Sequence, residues 1–183
     1  MSKAMAACLI LSLLVFSGCG GKDESAEEAT PAPPAVGLHV AAIQGNLAAV
    51  QHHIEAKSDL NESEPSRGSS PLITATAFGR TEIALALIDA GADVNYKNNE
   101  GSTALHTAAL LCRTEIVKAL LDNGADKAVK NNEGRTPLDA VSGSFEDMKP
   151  IYDGIGMSLR PLGLKLDYDR IKETRPVIAE MLQ

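Results

Sequence analysis

Three cysteines and four histidines are the residues of this 183-residue chain whose types could act as nucleophiles, bases or metal ligands. Their spacing argues against that chemistry. His52 and His53 are adjacent, so on a helix they point about 100° apart and do not face one ion as an i, i+4 pair would. Cys112 has no histidine near it in the sequence to draw its thiol towards thiolate, and a catalytic role for it is not expected. The chain holds no metal-ligand signature, phosphate loop or nucleophile elbow, so neither a cofactor nor a metal is expected. An enzyme or small-molecule binder would have to use the irregular region 142–164, with Asp153 and Arg160, where acidic residues are no denser than a solvated surface requires.

The elements that must position any site come from one pattern written repeatedly. Ser70-Pro-Leu-Ile-Thr-Ala-Thr-Ala-Phe-Gly and Gly91-Ala-Asp-Val-Asn return as Thr103-Ala-Leu-His-Thr-Ala-Ala-Leu-Leu-Cys and Gly124-Ala-Asp, and Gly68, Gly101 and Gly134 keep the same step of 33. A fixed period of this length reads as a stacked repeat array. Within a unit, Ser70, Thr103 or Thr136 caps a first helix, with proline after Ser70 and Thr136 at the first helical position. Leu105, Ala108 and Ala109 give that helix a small apolar side, and Cys112, where other copies have Gly45 and Gly79, ends it. A second helix from about Glu115 carries Ile116, Val117, Leu120 and Leu121 on one face. Gly124 closes it in the left-handed conformation, and 130–136 turns the chain back.

Leu105, His106, Ala108, Ala109, Glu115, Ile116, Val117, Leu120, Leu121, Gly124, Ala125 and Asp126 resemble the ankyrin repeat, and several offsets agree in consecutive copies. The resemblance implies an all-α, ankyrin-type solenoid of helix-turn-helix units with hairpin loops. It also implies that His39 and His106 are structural, tying the first helix to the preceding turn by hydrogen bonds.

Composition agrees with this class. Aromatic residues make up 3% of the chain against 44% hydrophobic, which suits a core of Ala, Leu, Ile and Val at helix contacts better than a sandwich. A formal charge of −7 without a clustered Lys or Arg stripe argues against a nucleic-acid partner.

Before the repeats, Lys3 precedes an apolar run from Ala4 to Phe16 that is shorter than the roughly 20 residues needed to span a bilayer. With Ser17-Gly18-Cys19 it has the form of a signal peptide over 1–18. The ending resembles the lipobox of bacterial lipoproteins, although Phe16 stands where that family usually has Leu. It implies acylation of Cys19 and a membrane anchor, and Gly20 resembles the pattern sorted to the outer rather than the inner membrane. Residues 19–35 are then a solvated tether stiffened by Pro31, Pro33 and Pro34. Cys112 would remain the one thiol, and no disulfide is expected.

The repeat domain is expected over 36–183, with units at 36–69, 70–102 and 103–135, an irregular segment at 136–163 and a C-terminal capping unit at 164–183. His53 replaces the Leu120 type and Lys57 the Gly124 type in the first unit, as suits an end with no neighbour. The second helix of the fourth unit is expected to be displaced or broken near Pro150, and Pro176 to start a helix in a shortened fifth unit. The segment from Ile155 to Leu164 is unassigned.

Carried over by position, the family's partner-binding sites fall on Ile43, Gln44, Ala77, Phe78, Leu110 and Leu111 in the helices. In the loops they fall on Lys97, Asn99, Glu100, Ser102, Lys130, Asn132, Glu133 and Arg135. Phe78, Leu110 and Leu111 are either anchors for a partner or packed against the next repeat. The expected function is a monomeric, non-enzymatic scaffold on the periplasm-facing side of the envelope that binds an unidentified protein. An inhibitor or immunity-type role is the alternative.

Overall fold

The computed structural model describes residues 35–183, and the signal peptide expected over 1–18 and Cys19 lie outside them. Each of the first three units is a pair of short helices: α1 (Leu38–Gln44) with α2 (Leu47–Glu55), α3 (Pro71–Ala77) with α4 (Thr81–Asp89), and α5 (Ala104–Leu110) with α6 (Thr114–Asp122). Among the described residues no strand is present and no helix is long and apolar enough to cross a membrane. First helices pack on first helices, α1 on α3 on α5 on α7 (Asp139–Ser142). Second helices form a parallel row of α2, α4, α6 and α9 (Tyr168–Leu182). Helices of two turns are not stable alone, so each unit depends on its neighbours for burial. The shared core consists of residues such as Leu38, Leu72, Leu87, Leu105, Ile116 and Leu120, none more than 1% exposed.

The start and stop signals act as their residue types require. Ser70 Oγ accepts the Ile73 N–H at 3.3 Å, and Pro71 occupies the first helical position of α3. At the ends of first helices Gly45 and Gly79 take φ of 78° and 64°, and a Cβ on Gly79 would stand 2.7 Å from the Arg113 guanidinium. That contact belongs to a ladder. Arg80 donates to the Ile43 carbonyl at 2.8 Å, Arg113 to Ala77 at 3.4 Å, and Arg170 to Cys112 at 2.8 Å, so each unit caps the first helix of the unit before it.

Cys112 and Lys57 occupy left-handed positions, both with φ 52°, a conformation that costs a non-glycine residue about 1–2 kcal/mol. For Cys112 the side chain explains the choice, because it is fully buried and its Sγ lies 3.6 Å from the Ile171 carbonyl of α9. Burial pushes its thiol from 9.0 up to about 11, although Arg175, Arg170 and Arg113 pull the other way. Above pH 9 the unfolded chain releases this proton while the folded chain retains it, so the contribution is complete below pH 9 and lost as pH rises towards 11. Unfolding free energy should therefore fall across that window by up to about 2–3 kcal/mol more in the wild type than in Cys112→Ala. Equal pH slopes in urea titrations of the two would refute this.

The end units depart from expectation. His53 does not face solvent: it is 6% exposed, with Nε2 at 2.8 Å from the Val36 carbonyl and Nδ1 at 3.0 Å from Ser58 Oγ. It closes the array by binding the incoming chain. At the other end no separate fifth unit is built over 164–183. Helix α9 is the second helix of the fourth unit, packed on α6 and α7, and Asp167 caps it through the Arg170 N–H at 3.0 Å. Pro176 lies inside α9 rather than at a helix start; it is exposed, as is Lys172, whose carbonyl it leaves free. Between α7 and α9 the chain makes an excursion, α8 (Phe145–Leu159), followed by a 3-10 turn at Arg160–Leu162. Pro150 does not break α8, and Ile155–Leu159, unassigned from sequence, are helical.

Candidate functional site: a groove along the first helices

Helix α8 does not join the helix stack. It is held to α9 by Tyr152, fully buried, whose hydroxyl accepts from Arg175 at 2.8 Å, by Phe145 edge-on to Tyr168 at 6.2 Å, and by Tyr168 donating to Asp153 at 2.7 Å. Its other apolar side stands opposite the row of first helices. The space between is a half-open groove of about 440 Å³ that runs from His39 in the first unit to Ala140 in the fourth. Ile43, Ile73, Ala77, Phe78 and Leu110 form its floor, and Met148, Ile151, Ile155 and Leu159 of α8, with Leu162 of the 3-10 turn, form the α8 wall.

Along one edge run the hairpin tips, which are braced to one another. The Asn99 N–H donates to the Arg67 carbonyl and the Asn132 N–H to the Glu100 carbonyl, each at 2.9 Å. Arg67 pairs with Glu100 at 3.3 Å and Arg135 with Glu133 at 3.5 Å. All four side chains are at least half exposed, so each pair contributes about 0–1 kcal/mol to stability while cancelling charge along the edge. Burial would raise the Glu64 carboxyl, but hydrogen bonds from Ser66 and Arg67 outweigh it and hold it lowered.

Both histidines of the first helices are structural, with a correction to what they hold. His39 lies 3.0 Å from the Glu62 carbonyl and 3.2 Å from Thr74 Oγ, so its tie runs forward to the next loop and unit, whereas His106 reaches forward through Nε2 to the Arg135 carbonyl at 3.1 Å and back through Nδ1 to Thr103 before α5. His106 Nδ1 accepts the Thr103 N–H at 3.2 Å, which requires neutral imidazole, and burial lowers its pKa in the same sense.

The expected partner residues divide in three. Ile43, Ala77, Phe78, Leu110, Glu100, Ser102, Glu133 and Arg135 line the groove with usable surface. Leu111 also borders it but is only 2% exposed, so it packs within the array and is not an exposed anchor. Gln44, Lys97, Asn99, Lys130 and Asn132 lie off the groove, and Asn132 Nδ2 is committed to the Asn99 carbonyl at 2.9 Å. The α8 wall was missed. Its signal was present as Ile151, Ile155, Leu159 and Leu162 at helical spacing, obscured by Pro150, Gly154, Gly156 and Pro161. Of the region 142–164 offered for a small-molecule site, Met148, Ile151, Ile155, Leu159 and Leu162 line the groove, whereas Asp153 and Arg160 do not and Asp153 is bound by Tyr168 and Lys149. Among the described residues no group of His, Cys, Asp or Glu is arranged to hold a metal.

A helix-pair solenoid with a continuous apolar groove edged by hairpin tips defines a repeat-type protein-interaction module. Residues 38–131 match the family described as ankyrin repeats in three copies, and the chain belongs to that family. Among solved structures it is similar to the ankyrin repeat domain of Bcl-3, described as a unique member of the IkappaB protein family, at 34% identity and a TM-score of 0.54. That similarity covers 56% of this chain and 45% of the Bcl-3 chain, so it spans less than half of the latter. No curated protein matches the chain. The ankyrin repeat fold is typically a non-catalytic interaction module, and the family match ends before α8.

Proposed function

We propose that this protein is a monomeric, non-enzymatic scaffold held at the bacterial cell envelope by an acyl group on Cys19, facing the periplasm, and that it binds a partner protein along the groove. The observation that carries the binding reading is the groove itself, an apolar floor shared by successive repeats and edged by charges that neutralise one another. The anchor rests on the apolar run, Ser17-Gly18-Cys19 and the solvated tether after them. Gly20 favours the outer membrane.

Capture from native membranes tests the surface. Phe78→Asp with Leu110→Asp places two charges on the floor, each costing several kcal/mol to bury against an apolar partner, and should remove the specific partner. Identical capture by both proteins refutes the surface. Mass spectrometry of the mature N-terminus should give an acylated Cys19, and an unmodified Met1 or Cys19 refutes the anchor.

A further inference from the structure

We infer that the groove is a two-walled clamp for one amphipathic α-helix of the partner protein, with an uncharged apolar face, and that the α8 excursion supplies the wall that selects it. This rests on the protein-binding reading above and deepens it.

The size of the groove limits what can enter it. At about 440 Å³, it has room for a row of side chains from one element of a partner rather than for a whole domain. Its polarity argues against an acidic segment. The ring nitrogens of His39 and His106 are engaged, Glu64 is bound by Ser66 and Arg67, and the edge charges pair as Arg67 with Glu100 and Arg135 with Glu133. An acidic occupant would be desolvated with no cation free to meet it and would face the Glu64 carboxylate, which is held by neutral donors alone.

Its asymmetry argues against an acyl chain. The polar edge, including Ser66, Asn98, Ser102 and Asn131, accompanies the apolar floor from unit to unit, so an occupant apolar on all sides would set hydrocarbon against polar groups. A segment apolar towards the helices and polar towards the tips satisfies both. The period of the wall separates a helix from a strand. Ile151, Ile155 and Leu159 of α8 succeed one another by about one helical turn, roughly 5.4 Å, with Leu162 following in the 3-10 turn, whereas same-face side chains of a strand recur at roughly 6.8 Å. A second helix can therefore seat its ridges between these residues along the whole wall, and a strand drifts out of register.

Exposure on α8 is consistent with an unfilled partner face. Ile151 is 36% and Leu162 52% exposed although both border the groove. Wall residues at these positions do not hold α8 in place, which falls to the Tyr152–Arg175, Phe145–Tyr168 and Asp153–Tyr168 contacts. They can be changed without unfolding the arm.

The test uses the full chain and a labelled peptide of about 18 residues, long enough to be helical when bound, with Leu at helical spacing on one face and Gln, Ser and Ala elsewhere. A scrambled peptide of the same composition and sodium palmitate serve as controls. Anisotropy should show micromolar binding of the helical peptide alone, with helicity rising by circular dichroism, and Leu162→Glu and Ile151→Asp should each weaken it about tenfold or more. Circular dichroism of the two variants verifies that both are folded. Failure of the helical peptide to bind, equal binding of the scrambled peptide, displacement by palmitate, or unchanged affinity in both variants overturns the inference. Capture of the native partner separates the two readings: loss with Phe78→Asp but full retention with Leu162→Glu overturns the clamp and leaves the scaffold standing.

Discussion

Replacing Arg175 with alanine is expected to lower the unfolding free energy by about 3 kcal/mol, the scale of a buried charged donor lost from several acceptors. Arg175 is 4% exposed, and its guanidinium donates to the Ala140 carbonyl at 3.0 Å, the Tyr152 hydroxyl at 2.8 Å and the Gly143 carbonyl at 2.6 Å. It joins α9 to the end of α7 and to the root of α8, where the chain leaves the repeat pattern. Alanine strands all three acceptors. Lysine should recover little, since a single ammonium does not reproduce the planar fork that reaches three groups. Methionine restores volume without donors and separates packing from hydrogen bonding. Urea denaturation followed by tyrosine fluorescence measures the effect, and a loss under about 1 kcal/mol would show that water replaces the guanidinium without penalty.

Leu120→Ala should be comparably damaging, at about 2–5 kcal/mol. Leu120 is fully buried on α6, the second helix that packs on α4 on one side and α9 on the other. A cavity there weakens two interfaces in a protein whose units have no independent stability, so unfolding stays cooperative or the fourth unit detaches first. Set against a total stability of roughly 5–15 kcal/mol, this is a large fraction, and Tm should fall by about 10 °C. A Tm shift within about 2 °C would mean that the array relaxes around the site, contrary to a rigid stack.

The repeats were legible because each local signal recurs with the same physical cause. Ser70 and Pro71 start α3 through a hydroxyl and a fixed φ, and Gly79 ends it because its φ is positive. Cys112 was readable as a helix end from its register, but not as a buried contact to Ile171, which lies 59 positions later. Phe78 and Leu111 show the same limit at the surface. They occupy corresponding positions, yet Phe78 opens onto the groove and Leu111 is enclosed, because the neighbours that decide exposure belong to other units.

The C-terminal third was misread for a related reason. Val177, Ile178, Met181 and Leu182 carry the spacing of a second helix, and a fifth unit followed if the chain was assumed to proceed unit by unit. Val177 is 47% exposed while Ile178 and Leu182 are buried, as the outermost helix of an array requires. Pro150 argued for a displaced or broken helix and Pro176 for a helix start, but both lie inside helices, on exposed faces where solvent can satisfy the carbonyls they free.

The sequence by itself determined that helix pairs of period 33 stack through small apolar faces, since capping, helix periodicity and left-handed turns are properties of a few neighbouring residues. Tertiary structure alone decided that α9 completes the fourth unit across an excursion, and that α8 turns a bare surface into a groove. Those outcomes depend on contacts between residues far apart in the chain, such as Arg175 with Ala140 and Arg170 with Cys112, whose geometry no local pattern encodes.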